Sequence, residues 1–251
     1  MTKIDSLSLL SYSGYCVTCK TNHSLPSEKA IAHCYHLMQQ LKDYGRIDFD
    51  VSDDKADERL STNHLHKEIG GKMFGVLVCE DLQGNEVILK AFSSTHNGIW
   101  DVKGWAPHLV NEKKFMAIVE GGNFKIHPLT EAINDLSNDI DKLNLLILKR
   151  KIISQKIQSQ LHALYELSNF KHKKRKLSEL FLKKGIPNGT GDCCAPKLLN
   201  YAALKNLKPI SIAEFYWGKT SKSGKRIAGN FYSACTEKCE PILGFMLCKA
   251  D

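Results

Sequence analysis

The cysteines of the C-terminal part constrain the fold of this chain more than any other feature. Cys193 follows a glycine-rich turn in the stretch GTGDCCAPKLL, and Cys235 and Cys239 lie about forty residues later in FYSACTEKCEPIL. Each stretch runs directly into a segment with helical spacing of apolar residues. Zn²⁺ binds thiolates in a tetrahedron, and a helix N-terminus favours the thiolate form. We therefore expect the three sulfur atoms to converge on one Zn²⁺, with its fourth position open to water.

Composition separates metal ligation from disulfide formation. The chain of 251 residues contains nine cysteines, an odd number that disulfides cannot fully pair. The first residues, MTKIDSLSLLSYSGY, lack the basic flank and cleavage site of a signal peptide, so a reducing, cytoplasmic location is expected. No apolar run approaches the roughly 18 residues of a membrane span. Metal ligation and plain burial remain open, and burial is expected for Cys79, Cys194 and Cys248.

A second group of metal-ligand residues lies near the N-terminus. Cys16 and Cys19 form a C-x-x-C pair, followed by His23 and then by Cys34. Four such ligands are typical of a closed structural zinc site, here called a zinc knuckle. The alternative is that Cys34 faces the core from a helix, which leaves a bare C-x-x-C. The expected reducing environment favours a second Zn²⁺ held by all four residues.

Apolar periodicity predicts a mixed α/β fold. It indicates a helix from about Ser27 to Gly45, a β-hairpin over 73–92 and a loop over 93–128. In the C-terminal part it indicates a helix, a strand and a short last helix or strand. The predicted domains are a Cys/His segment with its helix (1–45), an α/β domain (65–128 and 185–251) and an inserted helical segment (129–184).

The insert carries much of the positive charge. Between Thr130 and Lys184 there is no glycine or proline, and a stripe of Ile and Leu predicts one long helix or a helical hairpin with coiled-coil-like packing. The net charge is +8, and residues 149–184 hold eleven Lys or Arg against two Glu. This clustering favours a polyanion such as RNA, and a solvated helix face is the alternative. The candidate phosphate contacts are Lys173, Lys174, Arg175, Lys222, Lys225 and Arg226.

The order of the C-terminal cysteines resembles the pattern of the zinc-dependent nucleoside and nucleic-acid deaminases. In that superfamily a Cys or His ligand opens one helix, a strand follows, and a pair of cysteines opens the next helix. Cys193, Cys235 and Cys239 match these ligands, and the hairpin over 73–92 with its AFSS end matches the first two strands. The resemblance implies a deaminase-like mixed sheet flanked by helices. It also implies a hydrolase in which a zinc-activated water attacks an amino-bearing ring carbon of a nucleobase.

The chain departs from the deaminase signature, H-x-E or C-x-E followed by P-C-x-x-C, at three points. Ala195 stands where the signature has glutamate, Ala234 replaces the proline, and three residues separate the last two cysteines. Because the glutamate carries the proton shuttle, either Asp192 or Glu214 is expected to replace it in a catalytic chain. The candidate substrate contacts, at the end of a strand beside the predicted metal, are Tyr216 and Trp217.

A second resemblance covers most of residues 65–248. The motifs GGKMFGVLV, GWAPHLV, GTGDCCAPKLLNYA, LKPISIAEFYWG and FYSACTEKCEPILGFML are similar to the N-terminal extension of certain long bacterial RluA-type pseudouridine synthases. Those extensions also carry a coiled-coil insert. The Arg-Leu-Asp motif that supplies the synthase aspartate does not occur in this sequence. The resemblance implies an accessory domain that makes no pseudouridine by itself, with RNA and a pseudouridine synthase as expected partners.

Three functions are compatible with these observations. The first is a zinc-dependent deaminase acting on RNA or on a nucleotide. The second is a non-catalytic zinc module that binds RNA through its basic helices and assists a modification enzyme, and the third is a toxin or effector with the same fold. An open zinc position within reach of a carboxylate would support catalysis. A fourth protein ligand, such as Cys194 or a histidine of the 93–108 loop, would support a structural role.

Overall fold

The computed structural model of the protein describes residues 10–67, 70–136, 139–181 and 185–250. Over these ranges the chain forms small β-sheets and helices, the mixed α/β class that the sequence predicts. None of the helices in these ranges combines the length and the hydropathy that a bilayer crossing requires. The strands are β1 (Tyr12–Cys16), β2 (Thr21–Leu25), β3 (Lys72–Glu80), β4 (Glu86–Phe92), β5 (Glu166–Ser168), β6 (Lys174–Lys176) and β7 (Lys208–Trp217). The helices are α1 (Glu28–Tyr44), α2 (Glu112–Asp135), α3 (Ile140–His162), α4 (Leu177–Leu180), α5 (Cys194–Leu204) and α6 (Glu240–Met246).

The central sheet has three antiparallel strands in the order β4-β3-β7. Strands β3 and β4 form the predicted hairpin, whose turn is fixed by Asp81, which accepts a hydrogen bond from the backbone N–H of Asn85. The predicted C-terminal strand, β7, pairs with the other edge of β3 and places Glu214 opposite Gly75. Nearly all of β3 is buried, because helices cover both faces of the sheet.

Helix α1 covers one face of the sheet. Its buried residues, which include Ala30, Cys34 and Leu41, recur at helical spacing and pack into a core cluster with β3 and β7. The helix ends at Gly45, whose φ of 60° lies in the left-handed region that glycine adopts readily. The helix predicted to end at this glycine is therefore confirmed, and it packs directly on the α/β sheet.

Helix α5 covers the opposite face, and α6 packs against α5 and against β1 and β2 in the same core cluster. Two glycine contacts permit the close packing. A Cβ on Gly75 of β3 would lie 2.8 Å from the Cβ of Cys194 in α5, and a Cβ on Gly14 of β1 would overlap the backbone of Gly244 in α6. The first turn of α5 therefore rests directly on the sheet, and α6 lies directly against β1.

The insert begins with a helical hairpin, α2 and α3, rather than with one long helix. Helix α2 starts at Glu112, inside the stretch predicted to be a loop, and it continues through Pro128. Its glycine at position 122 has a packing role: a Cβ on Gly122 would lie 2.7 Å from the Cδ1 of Ile157 in α3. The predicted loop is wrong over this part because close contact between two helices can require glycine. After α3 the insert forms the β5–β6 hairpin and the short α4.

Candidate metal centre

Three thiols meet where α5 and α6 begin. The sulfur atoms of Cys193, Cys235 and Cys239 all lie within 4.8 Å of one another, and those of Cys235 and Cys239 are 3.5 Å apart. In a tetrahedral site with Zn–S bonds of about 2.3 Å, neighbouring sulfur atoms are about 3.8 Å apart. Small adjustments would therefore let the three thiols hold one metal ion. The convergence predicted from the sequence is confirmed.

The local backbone explains how distant residues reach one point. Cys193 is the N-cap residue of α5, and it follows Gly189 and Gly191, which both have positive φ. Cys239 is the N-cap residue of α6, and its backbone N–H donates a 3.1 Å hydrogen bond to the carbonyl oxygen of Cys235. This turn holds two of the thiols together. The packing of α6 against α5 in one core cluster brings the third thiol to them.

The three thiols interact through hydrogen bonds with one another. Hydrogen bonds with Cys193 and then with Cys239 lower the pKa of Cys235, whereas the hydrogen bond with Cys235 raises the pKa of Cys193 to about 12. The sulfur of Cys235 is thus the one that is favoured as a thiolate. A divalent cation would displace the remaining protons, because thiolates are the form that binds metal. Cys193 and Cys235 are only partly buried, so the group lies at the edge of the core.

A buried carboxyl group lies at the same helix end. Glu214 on β7 is 5 % exposed, and its Oε1 accepts a 2.6 Å hydrogen bond from the backbone N–H of Ala195. Burial raises the pKa of Glu214 to about 7, the hydrogen bond from Ala195 opposes this rise, and the charge of Cys235 adds to it. Glu214 therefore interacts electrostatically with the thiol group, as well as with the first turn of α5.

The other predicted proton shuttle, Asp192, has a different partner. Its Oδ1 accepts a 2.6 Å hydrogen bond from the hydroxyl of Tyr165, and its backbone carbonyl accepts one of 2.8 Å from Ser94. Asp192 also lines a cavity of about 390 Å³, together with Trp100 and other aromatic side chains. These contacts connect the turn before α5 to Tyr165, which precedes β5, and to Ser94, which follows β4.

The N-terminal ligand group contains a residue other than the one predicted. The ligand atoms of Cys16, Cys19, His23 and Cys248 all lie within 4.8 Å of one another and could hold a metal ion. Cys34, the predicted fourth ligand, lies elsewhere: its thiol donates a 3.5 Å hydrogen bond to a backbone carbonyl of β7. The alternative in which Cys34 faces the core is therefore the one that the structure shows. Cys248 is buried as predicted, and it also belongs to the ligand group.

The two predicted substrate contacts lie in different environments. Tyr216 is 4 % exposed, and its hydroxyl donates a 3.0 Å hydrogen bond to the carbonyl oxygen of Lys219. Trp217 is partly exposed, and its ring contacts that of His66 with 5.8 Å between centroids. Tyr216 therefore serves mainly to hold the end of β7, whereas Trp217 keeps surface that a ligand can reach.

The predicted phosphate contacts are all exposed. Lys174 and Arg175 form ion pairs with Glu166 at 3.1 Å and with Glu179 at 3.3 Å, and such exposed pairs contribute little to stability. The positive charge therefore faces solvent on and beside the β5–β6 hairpin and on the loop after β7. The exposed residues are Lys173, Lys174, Arg175, Lys222, Lys225 and Arg226.

Two lysines, one buried and one partly buried, which the sequence analysis did not single out, hold the end of β4. Lys197 in α5 is 1 % exposed, and its Nζ donates a 2.8 Å hydrogen bond to the carbonyl oxygen of Phe92. The Nζ of Lys72 donates to the carbonyl oxygens of Ser93 at 2.8 Å and Thr95 at 2.6 Å. Burial lowers the pKa of both lysines to about 8. The sequence does contain a signal for Lys197, because this lysine interrupts the apolar run CAPKLL at the start of a predicted helix.

Comparisons with known proteins found no relative from which a function could be inferred, so the inference is based on the site itself. No protein-family model, no curated protein and no solved structure matches the chain.

Proposed function

We propose that the protein is a zinc-dependent deaminase that acts on a nucleobase in RNA or on a nucleotide. One observation carries the proposal: a group of three thiols that can hold a metal ion shares a helix end with a buried carboxyl group. Within the part of the chain that the structure describes, this group has three ligand residues rather than four. Three protein ligands with an open fourth position are typical of catalytic zinc.

The location of Glu214 addresses the main departure from the deaminase signature. The signature C-x-E places its glutamate two residues after the first ligand, where this chain has Ala195. The carboxylate of Glu214 accepts a hydrogen bond from the backbone N–H of that same Ala195. A carboxylate therefore lies beside the backbone of this position, and it comes from β7 instead of from α5. A proton shuttle depends on the location of its carboxyl group and not on the element that carries it, so a glutamate on β7 can serve in place of one on α5.

Each part of the site has a role in hydrolytic deamination. The three thiolates would hold Zn²⁺, which lowers the pKa of a bound water toward neutrality. Glu214 would accept the proton of the attacking water and return it to the departing amino group. The amino-bearing ring carbon then gains a carbonyl oxygen and loses ammonia, so that one water is consumed for each ammonia released.

The order of the elements supports the same assignment. The hairpin β3–β4, helix α5, strand β7 and helix α6 follow one another as the deaminase resemblance implies. Strand β7 lies beside β3, α5 packs on the sheet, and the second ligand-bearing helix, α6, packs against α5. The three ligands therefore belong to the starts of two neighbouring helices, where thiolates are favoured.

The exposed positive charge supports RNA as the substrate class. The net charge is +8, and the Lys and Arg side chains of the β5–β6 hairpin face solvent. Such groups bind phosphates without reading the base sequence. The same charge favours a second candidate function, a non-catalytic zinc module that binds RNA and assists a pseudouridine synthase.

An assay of RNA and nucleotide deamination distinguishes the two functions. The zinc-loaded protein is incubated with total RNA and with cytidine and adenosine nucleotides, and ammonia release is measured together with C-to-U and A-to-I changes by mass spectrometry. The proposal expects conversion by the wild type and none by Glu214→Gln, which should keep its zinc. RNA binding by the wild type without any conversion would reject the deaminase and support the accessory module.

A further inference from the structure

We propose that Cys16, Cys19, His23 and Cys248 form a closed structural zinc site, the clasp site, which joins the N-terminal hairpin to the segment after α6. This inference goes beyond the proposed deaminase activity and does not depend on it. It rests on the geometry, burial and chain positions of the four residues.

The four donors are grouped closely enough to bind one tetrahedral zinc ion after small adjustments. The Sγ of Cys19 lies 3.0 Å from the Nε2 of His23 and 3.6 Å from the Sγ of Cys248, and all four ligand atoms lie within 4.8 Å of one another. Zn–S bonds of about 2.3 Å and a Zn–N bond of about 2.0 Å place such donors about 3.6–3.8 Å apart. Three cysteines and one histidine are a common ligand set of structural zinc.

The number of ligands and their burial identify the role as structural. Cys16 is 0 % exposed and Cys248 is 1 % exposed, while Cys19 and His23 are partly buried. Four protein donors fill a tetrahedron and leave no position for water or substrate. A disulfide, with its S–S bond of about 2.05 Å, would use only two of the three sulfur atoms and would not use the imidazole. Zinc is the partner that uses all four groups.

The clasp site connects parts of the chain that are far apart in sequence. Cys16 ends β1, His23 lies on β2, and Cys248 follows the end of α6. Helix α6 packs so closely on β1 that a Cβ on Gly14 would overlap the backbone of α6. This close packing brings the three segments together. Zinc at the clasp site would therefore fix the position of α6 against the hairpin.

Helix α6 also connects the clasp site to the three-thiol group. Cys239 caps the start of α6, and Cys248 lies just beyond its end. With a rise of 1.5 Å per residue, the two ligands are roughly 14 Å apart along the helix axis. A metal ion at either end restricts the same short helix. We therefore expect zinc at the clasp site to help to position Cys239 for the other metal ion.

Zinc analysis of full-length variants tests the clasp site. The wild type should bind about two zinc ions per chain, as should the matched control Cys34→Ser, which removes a buried thiol outside both groups. The double variant Cys193→Ser/Cys235→Ser, which disables the three-thiol group, should retain about one. Adding Cys248→Ser to that double variant should remove the last zinc ion.

Loss of all zinc in the double variant would overturn the proposal, and so would retention of one zinc ion in the triple variant. If the double variant does not fold, chelator competition on the wild type replaces it. Zinc should then leave the wild type in two kinetic phases of equal amplitude and leave Cys248→Ser in one, and a Cys248→Ser variant that releases as much zinc as the wild type would refute the clasp site. Because these readouts are zinc counts, they remain valid if the protein deaminates nothing.

Discussion

Gly75→Ala should destabilise the protein by crowding the first turn of α5. The new Cβ would lie 2.8 Å from the Cβ of Cys194, 3.2 Å from the Cγ of Glu214 and 3.3 Å from the Cδ1 of Leu198. The Cβ of Cys194 is fixed to the helix backbone, so α5 must move as a unit to relieve the contact. Overpacking of this kind costs about 1–3 kcal/mol. Lower entropy of the unfolded chain offsets about 0.4–1 kcal/mol of that cost.

The net expectation for Gly75→Ala is a loss of about 1–2 kcal/mol in the free energy of unfolding. For a chain of this size, that corresponds to roughly 2–8 °C in Tm. Denaturant and thermal unfolding measure the change, and zinc analysis reports whether the displaced α5 weakens the three-thiol group.

Gly121→Ala is the matched control for Gly75→Ala. Gly121 lies on the exposed side of α2, and a Cβ there would meet no atom within 4 Å. Because alanine favours a helix interior over glycine, the control should gain about 0.5–1 kcal/mol. If Gly75→Ala is as stable as this control, then α5 does not rest on β3 in the way described.

Three further predictions concern the metal group and the basic surface. Cys235→Ser should release about one zinc ion per chain and lower Tm, and unchanged metal content by elemental analysis would reject this site. Glu214→Gln should keep its zinc and its RNA affinity while deamination falls by roughly 10²-fold or more, and an active Glu214→Gln would remove the proton-shuttle role. Neutralising Lys173, Lys174 and Arg175 should flatten the salt dependence of RNA binding by roughly 0.7 per lost phosphate contact in a log–log plot, and an unchanged slope would exclude this surface.

Local patterns were sufficient to predict the elements that carry the three-thiol group. The helical spacing after Cys193, the nearly continuous apolar runs of the hairpin strands and the hairpin turn at Asp81 depend on residues close together in sequence. Because two cysteine-bearing segments each open a helix, convergence of the three thiols at neighbouring helix starts was also predictable. The sequence could not decide between Asp192 and Glu214 as the proton shuttle. Only the register of β7 against β3 brings Glu214 to Ala195.

Contacts between distant segments could not be predicted in the same way. The sequence favours Cys34 as the fourth N-terminal ligand because Cys34 is near Cys16 in the chain. The structure brings Cys248 instead, because Gly14 lets α6 pack against β1. Likewise, the presence of Gly122 within α2 is explained by its contact with Ile157 of α3. A local sequence pattern does not include this contact. In each case a glycine leaves room for a partner that lies far along the chain, which is the backbone of α6 at Gly14 and the side chain of Ile157 at Gly122.

An anomalous-scattering map from crystals measured at the zinc absorption edge tests the central claim most directly. We expect a peak bonded at about 2.3 Å to the sulfur atoms of Cys193, Cys235 and Cys239, with a non-protein fourth ligand on the side of Glu214. The absence of zinc between these three sulfur atoms, or a fourth ligand supplied by the protein, would contradict a catalytic metal centre at the start of α5 and α6.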